Sequence, residues 1–343
     1  MIYEAGSRKS MSTPYILHGF NPSPYSVKMR AILRYRRIPF VWDGIGNPRD
    51  IAVAAGLPPV IPILRFPDGR LMNDSTPLAY ALEQEHRERS IIPDDAVHAY
   101  LSDLLEDFAD EWVTKMMFHY RWYYAADRAF AQTWIVTSRN PVMAEAERRA
   151  GMQAFNDRQV GRMALVGCTE QNRPVIEESY RFVLDTLDRH VRTVPFLFGS
   201  RPSLADFGLF GQLQILSVDP TPMAEMRGRA ADVHCWLLRL DDASGIEGEW
   251  LDPKAPLPGT LTALLRHCGE TYLPFLAANT RALQEGASEV ALDVMGRPYA
   301  QARFRYQGKC HDVLSKKLAA LPGDVRRRLD PVLEQTGCLR YLA

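Results

Sequence analysis

Ser23 and Ser26 bracket Pro24-Tyr25 where the chain passes from Asn21-Pro22 into a helical pattern. Ser23 is the residue type of a helix N-cap, and Pro24 suits the first helical position. A hydroxyl placed there sits beside unpaired backbone N–H groups and the positive end of the helix dipole, where negative charge is stabilised. Asp74-Ser75-Thr76-Pro77 opens a second helix in the same way, and Ser203 to Asp206 opens a third in the S-x-x-D capping arrangement. Other chemistry-bearing patterns are missing: the sequence has no P-loop, no G-x-G-x-x-G and no G-x-S-x-G. His234-Cys235, His267-Cys268 and Cys310-His311 are adjacent pairs. Helical neighbours point about 100° apart, so no metal centre is expected from them. Glu83-x-x-His86 occurs once, whereas a di-iron bundle needs two such pairs.

The elements that must hold these residues follow from periodicity. Tyr15 to Phe20 reads as a strand, followed by a helix whose Val27, Ala31, Leu33 and Tyr35 form an apolar side. Lys28, Arg30, Arg34 and Arg36 are expected elsewhere on its surface. Phe40 to Trp42 reads as a second strand. Ile61-Pro62 leads into a buried strand pattern ending at Phe66, Pro67-Asp68-Gly69-Arg70 is a turn, and Leu71 to Asn73 completes a hairpin. A helix from Leu78 to about Glu88 follows. The order β-α-β, loop, ββα predicts a small mixed-sheet α/β domain over 14–89. From 96 to 258 the pattern is helical, with a loop at 241–258. Leu101, Leu104, Leu105, Phe108, Trp112 and Met116 mark one face of a long helix, and Leu204 to Leu216 forms another. Residues 259–343 depart from this: Leu261 to Leu283 is helical, Glu289 to Phe304 predicts a hairpin turning at Met295-Gly296-Arg297, and helices follow near 308–320 and 324–336.

The 343 residues fit about two domains. Forty-one basic residues balance 41 acidic ones, which argues against a nucleic-acid or anionic-membrane binder. Five widely spaced cysteines without a CxxC fit a reducing compartment. Residues 1–13 are polar, contain a second potential start at Met11 and read as a flexible arm. No signal peptide fits and no apolar run approaches the ~18 residues of a membrane span, so a cytoplasmic protein is expected.

Four pieces then stand in order: Ser23-Pro-Tyr-Ser26 after a strand, Ile61-Pro62 before an apolar strand, Asp74-Ser75 at a helix start, and the Ser203–Asp206 cap within a helical second half. Together they resemble the glutathione transferase superfamily over about residues 14–240. The resemblance implies a thioredoxin-like glutathione-binding domain, a helical domain and a homodimer, with glutathione as co-substrate. It puts Ser23 at the thiol. Only a few per cent of a free thiol is ionised at neutral pH, and lowering its pKa by two units takes about 2.7 kcal/mol. A hydroxyl hydrogen bond together with the helix dipole is of that size. A plain N-cap is the other reading of Ser23, and Ser26, Tyr25 and Asn21 are alternative donors. Serine cannot form a mixed disulfide, so activation of the thiol as a nucleophile is favoured over thiol–disulfide exchange.

The resemblance also makes Pro62 a cis proline. It lets the Ile61 backbone pair with the cysteinyl unit, as an added strand would. Asp74 and Ser75 are given the γ-glutamyl end, where ordinary helix capping is the other reading. Many members carry Lys or Gln at the place occupied here by Val60, and Arg49 is the candidate substitute for the glycyl carboxylate. Tyr25, Trp112, Met116, His119 and Tyr120, with Trp122 and Tyr123 alongside, are candidates for an apolar electrophile pocket between the domains, or for plain core. Glu106, Asp107, Asp110 and Glu111 are expected on a solvated face. The implied activity is attack of glutathione on a small electrophilic, partly aromatic substrate. A non-catalytic glutathione-fold binding protein is the alternative, with residues 259–343 as its partner surface or as a cover packed on the helical domain.

Overall fold

The structure, a computed structural model, describes residues 13–343. The arm read over 1–13 therefore lies, apart from Thr13, outside the described residues. The first region is built from β1 (Tyr15–His18), α1 (Pro24–Tyr35), β2 (Phe40–Asp43), α2 (Pro48–Ala54), β3 (Ile63–Arg65), β4 (Leu71–Asn73) and α3 (Ser75–Glu85). Its sheet has the order β2-β1-β3-β4. β1 pairs parallel with β2, and β3 is antiparallel to both β1 and β4, with Leu17 opposite Leu64. The mixed sheet and its flanking helices are the predicted α/β arrangement. α3 begins three residues earlier than its apolar pattern suggested, because Ser75, Thr76 and Pro77 already form its first turn.

The helical region holds α4 (Ala96–Phe108), a π-helical segment (Ala109–Val113), α5 (Thr114–Tyr123), α6 (Ala125–Arg139), α7 (Glu145–Val160), α8 (Arg173–Val191), α9 (Leu204–Leu216), α10 (Pro220–Arg229) and α11 (Ala231–Asp241). The expected long helix is thus one rod interrupted by a widened turn. There the hydroxyl of Tyr25 donates to the carbonyl of Asp110 at 3.0 Å. A π segment in an α-helix loosens the regular ladder, and outside donors commonly take up the carbonyls there. α9 spans the predicted residues, and Ser203 and Asp206 form the predicted capping box.

Helix α9 lies between α1 and α4 and fixes where α1 starts. Two glycines allow this close approach. A Cβ on Gly208 would stand 3.2 Å from the Glu106 Cα, and one on Gly211 would stand 2.8 Å from the Pro24 carbonyl oxygen.

The last segment contains α12 (Gly259–Glu270), α13 (Tyr272–Glu285), β5 (Glu289–Val294), β6 (Arg297–Ala302), α14 (Arg305–Ala319), α15 (Gly323–Gln335) and α16 (Leu339–Leu342). The hairpin turns at Met295 and Gly296, both with positive φ, as a two-residue type I′ turn requires. Val290 and Val294 are buried on one face of it. Helices α12, α14 and α15 pack on α4, and β6 packs beside residues 164–166. This segment therefore covers the helical region. No helix among the described residues is long and apolar enough to cross a membrane.

Candidate functional site

Ser23 is the N-cap of α1, with extended backbone angles and Pro24 in the first turn. Its Oγ accepts from the Ser26 amide at 3.3 Å. The capping reading is thus realised, and it uses only an acceptor lone pair: the hydroxyl proton has no acceptor among the described residues. The loop before it is anchored. The Arg121 guanidinium grips Asp219 at 2.7 and 3.1 Å and donates to the Pro22 carbonyl at 2.9 Å. Both Arg121 and Asp219 are buried.

The alternative donors are placed differently. Tyr25 is half-buried, its hydroxyl committed to Asp110 and 3.4 Å from Thr114 Oγ1. Burial, then the charges of Glu111 and Asp110, hold its pKa well above that of an ordinary tyrosine. Ser26 Oγ is buried and has no hydrogen-bond partner among the described residues. Asn21 is exposed and accepts from Arg30 at 2.5 Å.

The Ile61–Pro62 peptide is cis. Ile61 lies just outside β3, and neither its amide nor its carbonyl pairs with another backbone group among the described residues. Asp74 has φ +76°, a conformation uncommon for a residue with a Cβ, and its side chain makes no capping bond to α3. Its carboxylate instead accepts from the Tyr306 hydroxyl at 3.1 Å. Ser75 is buried, with Oγ 3.4 Å from both Lys28 Nζ and Asp110 Oδ2. Val60 is exposed.

The acidic residues of the long helix require a correction. Glu106, Asp110 and Glu111 are not solvated but buried, and so is Lys28, which the helical pattern put on a polar side. Lys28 Nζ lies 2.5 Å from Glu106 Oε1 and 2.7 Å from Asp110 Oδ2. Burial works to lower the Lys28 pKa, but the Asp110 and Glu106 charges outweigh it and the net shift is upward. Burial pushes Asp110 up to about 7, against the opposing pull of Lys28. Asp107 also rises to about 7 through burial, although the Tyr272 hydroxyl donates to it at 2.6 Å. Glu111 is pushed well above the usual carboxylate range by burial, then by Asp107 and Asp110. Lys115 falls to about 8 through burial and donates to Gln301 at 2.6 Å. A polar spine therefore runs from the start of α3 into the C-terminal segment.

The structure does not bring the aromatic candidates to an open cleft. Trp112, Met116, His119 and Tyr120 are all buried, which is the core alternative. The Trp112 ring packs on Phe275 and Tyr299, and its N–H donates to Ser179 at 3.0 Å. His119 meets Glu177 at 3.1 Å, and the Tyr120 hydroxyl donates to Glu225 at 2.9 Å. The reason is the C-terminal segment, whose Phe275 and Tyr299 cover the face on which Trp112 lies. A 510 Å³ groove lined by Arg266, Glu270, Glu334 and Arg340, among others, includes none of the candidate residues. Arg49 is half-buried in α2 and stands among other arginines rather than alone. Sequence reasoning missed Lys28 and Tyr306. Nothing in the local pattern marks either, since each meets its partner across more than 40 residues.

Family models match two stretches of the chain: the glutathione S-transferase N-terminal domain over residues 17–90 and the glutathione S-transferase C-terminal domain over 172–252. The first match falls on the sheet region and the second on α8 to α11 of the helical region. No curated protein matches the sequence. Among solved structures, the chain is similar to a beta-etherase from Sphingobium sp. strain SYK-6, at 16% identity over 66% of this chain and 94% of that one, with a TM-score of 0.48. It is similar to a GST-like protein from Pseudomonas syringae, at 17% identity over 72% and 77%, with a TM-score of 0.45. It is also similar to a glutathione S-transferase from Methylobacterium radiotolerans in complex with glutathione sulfonate, at 19% identity over 72% and 100%, with a TM-score of 0.39.

Proposed function

We propose that the chain is a glutathione-dependent transferase in which Ser23 stabilises the glutathione thiolate for attack on a small electrophilic, partly aromatic substrate. The observation that carries this reading is the Ser23 hydroxyl. It caps α1 through a lone pair and keeps its proton free at the N-terminus of a 12-residue helix. A thiolate there gains a charge-assisted hydrogen bond, the Tyr25 amide and the dipole of α1. The other candidates supply the remaining contacts of the peptide. The Ile61 backbone takes the cysteinyl unit, the Asp74 carboxylate the γ-glutamyl ammonium, and Ser75 with the first amides of α3 its carboxylate. Arg49 takes the glycyl carboxylate in place of Val60. The half-buried ring of Tyr25 borders the side from which the electrophile approaches.

A glutathione titration followed by melting temperature tests this reading. Saturation at one hundred times the dissociation constant stabilises a protein by about 2.7 kcal/mol. An unchanged melting temperature at millimolar glutathione refutes it. Turnover of a panel of electrophiles then separates the enzyme from a second reading, a non-catalytic glutathione-binding protein. That second reading draws support from the burial of Trp112, Met116, His119 and Tyr120, which leaves those side chains unavailable to a substrate.

A further inference from the structure

Four arginines from neighbouring segments stand near one another, and the charge of each of Arg158, Arg139 and Arg162 is felt at Arg49. Arg49 lies in α2, Arg139 ends α6, Arg158 lies in the last turn of α7, and Arg162 follows that helix. The Gly46 amide donates to the Arg139 carbonyl at 2.8 Å, which ties the end of α6 to the loop before α2. The Arg139 guanidinium sits between two rings, 5.1 Å from the centroid of Phe20 and 5.2 Å from that of Phe155. Phe155 and Arg158 are spaced i, i+3 and share one face of α7, and Arg162 lies in the turn just beyond its end. Among the described residues none of the four arginines makes an ion pair within 4.0 Å, although neighbouring Arg148 pairs with Glu145. Nε of Arg49, and Nε and Nη2 of Arg139, are buried with no hydrogen-bond partner among the described residues.

Buried N–H donors without an acceptor are costly, and guanidinium groups gathered in a partly desolvated place repel one another. The cost is visible at Arg49, whose pKa falls to about 10 through burial and then through the charges of Arg158, Arg139 and Arg162. Arg139 is lowered by burial and by Arg158, with Asp50 acting in the other direction. An anion with several oxygens would relieve both penalties at once, since planar guanidinium forks match phosphate and carboxylate geometry. One carboxylate engages one fork, so three arginines beyond Arg49 exceed what the glycyl end of a peptide takes up. Arg158 and Arg162 are exposed, which leaves the cluster open to solvent. Phe20 stands three residues before Ser23, so the cluster borders the Ser23 loop.

We propose that Arg139, Arg158 and Arg162, beside the Arg49 assigned above to the glycyl carboxylate, form a binding site for a multiply charged oxyanion, a small molecule bearing a phosphate, a sulfate or paired carboxylates, distinct from the site proposed for glutathione. Melting temperature is read while inorganic phosphate or pyrophosphate is titrated against sodium chloride at matched ionic strength, with and without saturating glutathione. The expected result is a saturable rise with either oxyanion, preserved in the presence of glutathione. Arg158→Gln, an exposed change that spares the fold, should weaken the apparent affinity about tenfold, the value of one charge-assisted contact. Arg139→Gln should weaken it further. No rise beyond that in chloride, or an equal rise in both variants, overturns the proposal. So does loss of the phosphate response under glutathione, which assigns the arginines to the peptide's carboxylate. A phosphate response with no glutathione response supports this site while removing the transferase reading.

Discussion

The Tyr306 hydroxyl donates to Oδ2 of Asp74 at 3.1 Å, joining the first turn of α14 to the N-cap of α3 across 232 residues of sequence. Asp74 spends nothing on capping its own helix, so its carboxylate is oriented from outside by the C-terminal segment. A neutral donor fixes the carboxylate's direction and leaves its charge and further lone pairs available to a cation. Tyr306→Phe should therefore leave the melting temperature nearly unchanged, because Tyr306 is 41% exposed. It should weaken glutathione binding about fivefold, the value of roughly 1 kcal/mol. Isothermal titration of the two proteins makes the comparison, and equal affinity would separate this bond from peptide recognition.

Ser23→Ala removes both the cap and the free hydroxyl proton. The cap is worth about 1 kcal/mol, so the variant should fold. Turnover of a responsive electrophile should fall roughly 10- to 100-fold, and the ultraviolet titration of the bound thiol should move to higher pH. Ser26→Ala is the control, since the Ser26 hydroxyl is buried without a hydrogen-bond partner among the described residues. A larger loss in Ser26→Ala than in Ser23→Ala would transfer the role.

Lys28 holds Glu106 and Asp110 at the contact between the sheet region and the helical region, and all three are buried. Removing one member of a buried ionic group leaves uncompensated charge and costs about 3–5 kcal/mol. Lys28→Met should show that loss in urea unfolding. Adding Glu106→Gln and Asp110→Asn should restore much of it, because the desolvated charges go with it. If Lys28→Met alone is neutral, the cluster does not hold the two regions together.

The two carboxyls raised to about 7, Asp107 and Asp110, make stability depend on pH in a definite direction. Each binds its proton more tightly folded than unfolded, where the ordinary carboxyl pKa is near 4. Between about pH 4 and 7 the native state holds the extra protons. Stability contributed by these groups is therefore present at the acid end and lost as pH rises, by up to about 1.4 kcal/mol per pH unit for each. Asp107→Asn should flatten that slope relative to the parent. Taking the difference removes opposing contributions, such as that of buried His267, whose pKa falls to about 4. Parallel pH profiles for the two proteins would contradict the assignment.

Local pattern alone determined a good part of this protein. The strand–helix order of the first region, α9 with its Ser203–Asp206 capping box, and the hairpin turning at Met295-Gly296 follow from periods of 3.6 and 2 and from residues with one preferred backbone role. The places of Ser23, Ile61-Pro62 and Asp74-Ser75 at element ends were legible for the same reason. Burial of charge was not. Periodicity assigns a residue to a face of its own element and is silent on what else covers that face. Glu106 and Asp110 read as solvated because their partners, Lys28 and Ser75, belong to another region of the chain. Trp112 and Met116 could line a cleft or fill a core, and the C-terminal segment, with Phe275 and Tyr299 on Trp112, decided for the core. The contact of Tyr306 with Asp74 and the meeting of Arg49 with Arg139 and Arg158 exist only after docking. Their cause is packing between elements far apart in sequence, where charge pairs with, or is crowded by, whatever the fold delivers beside it.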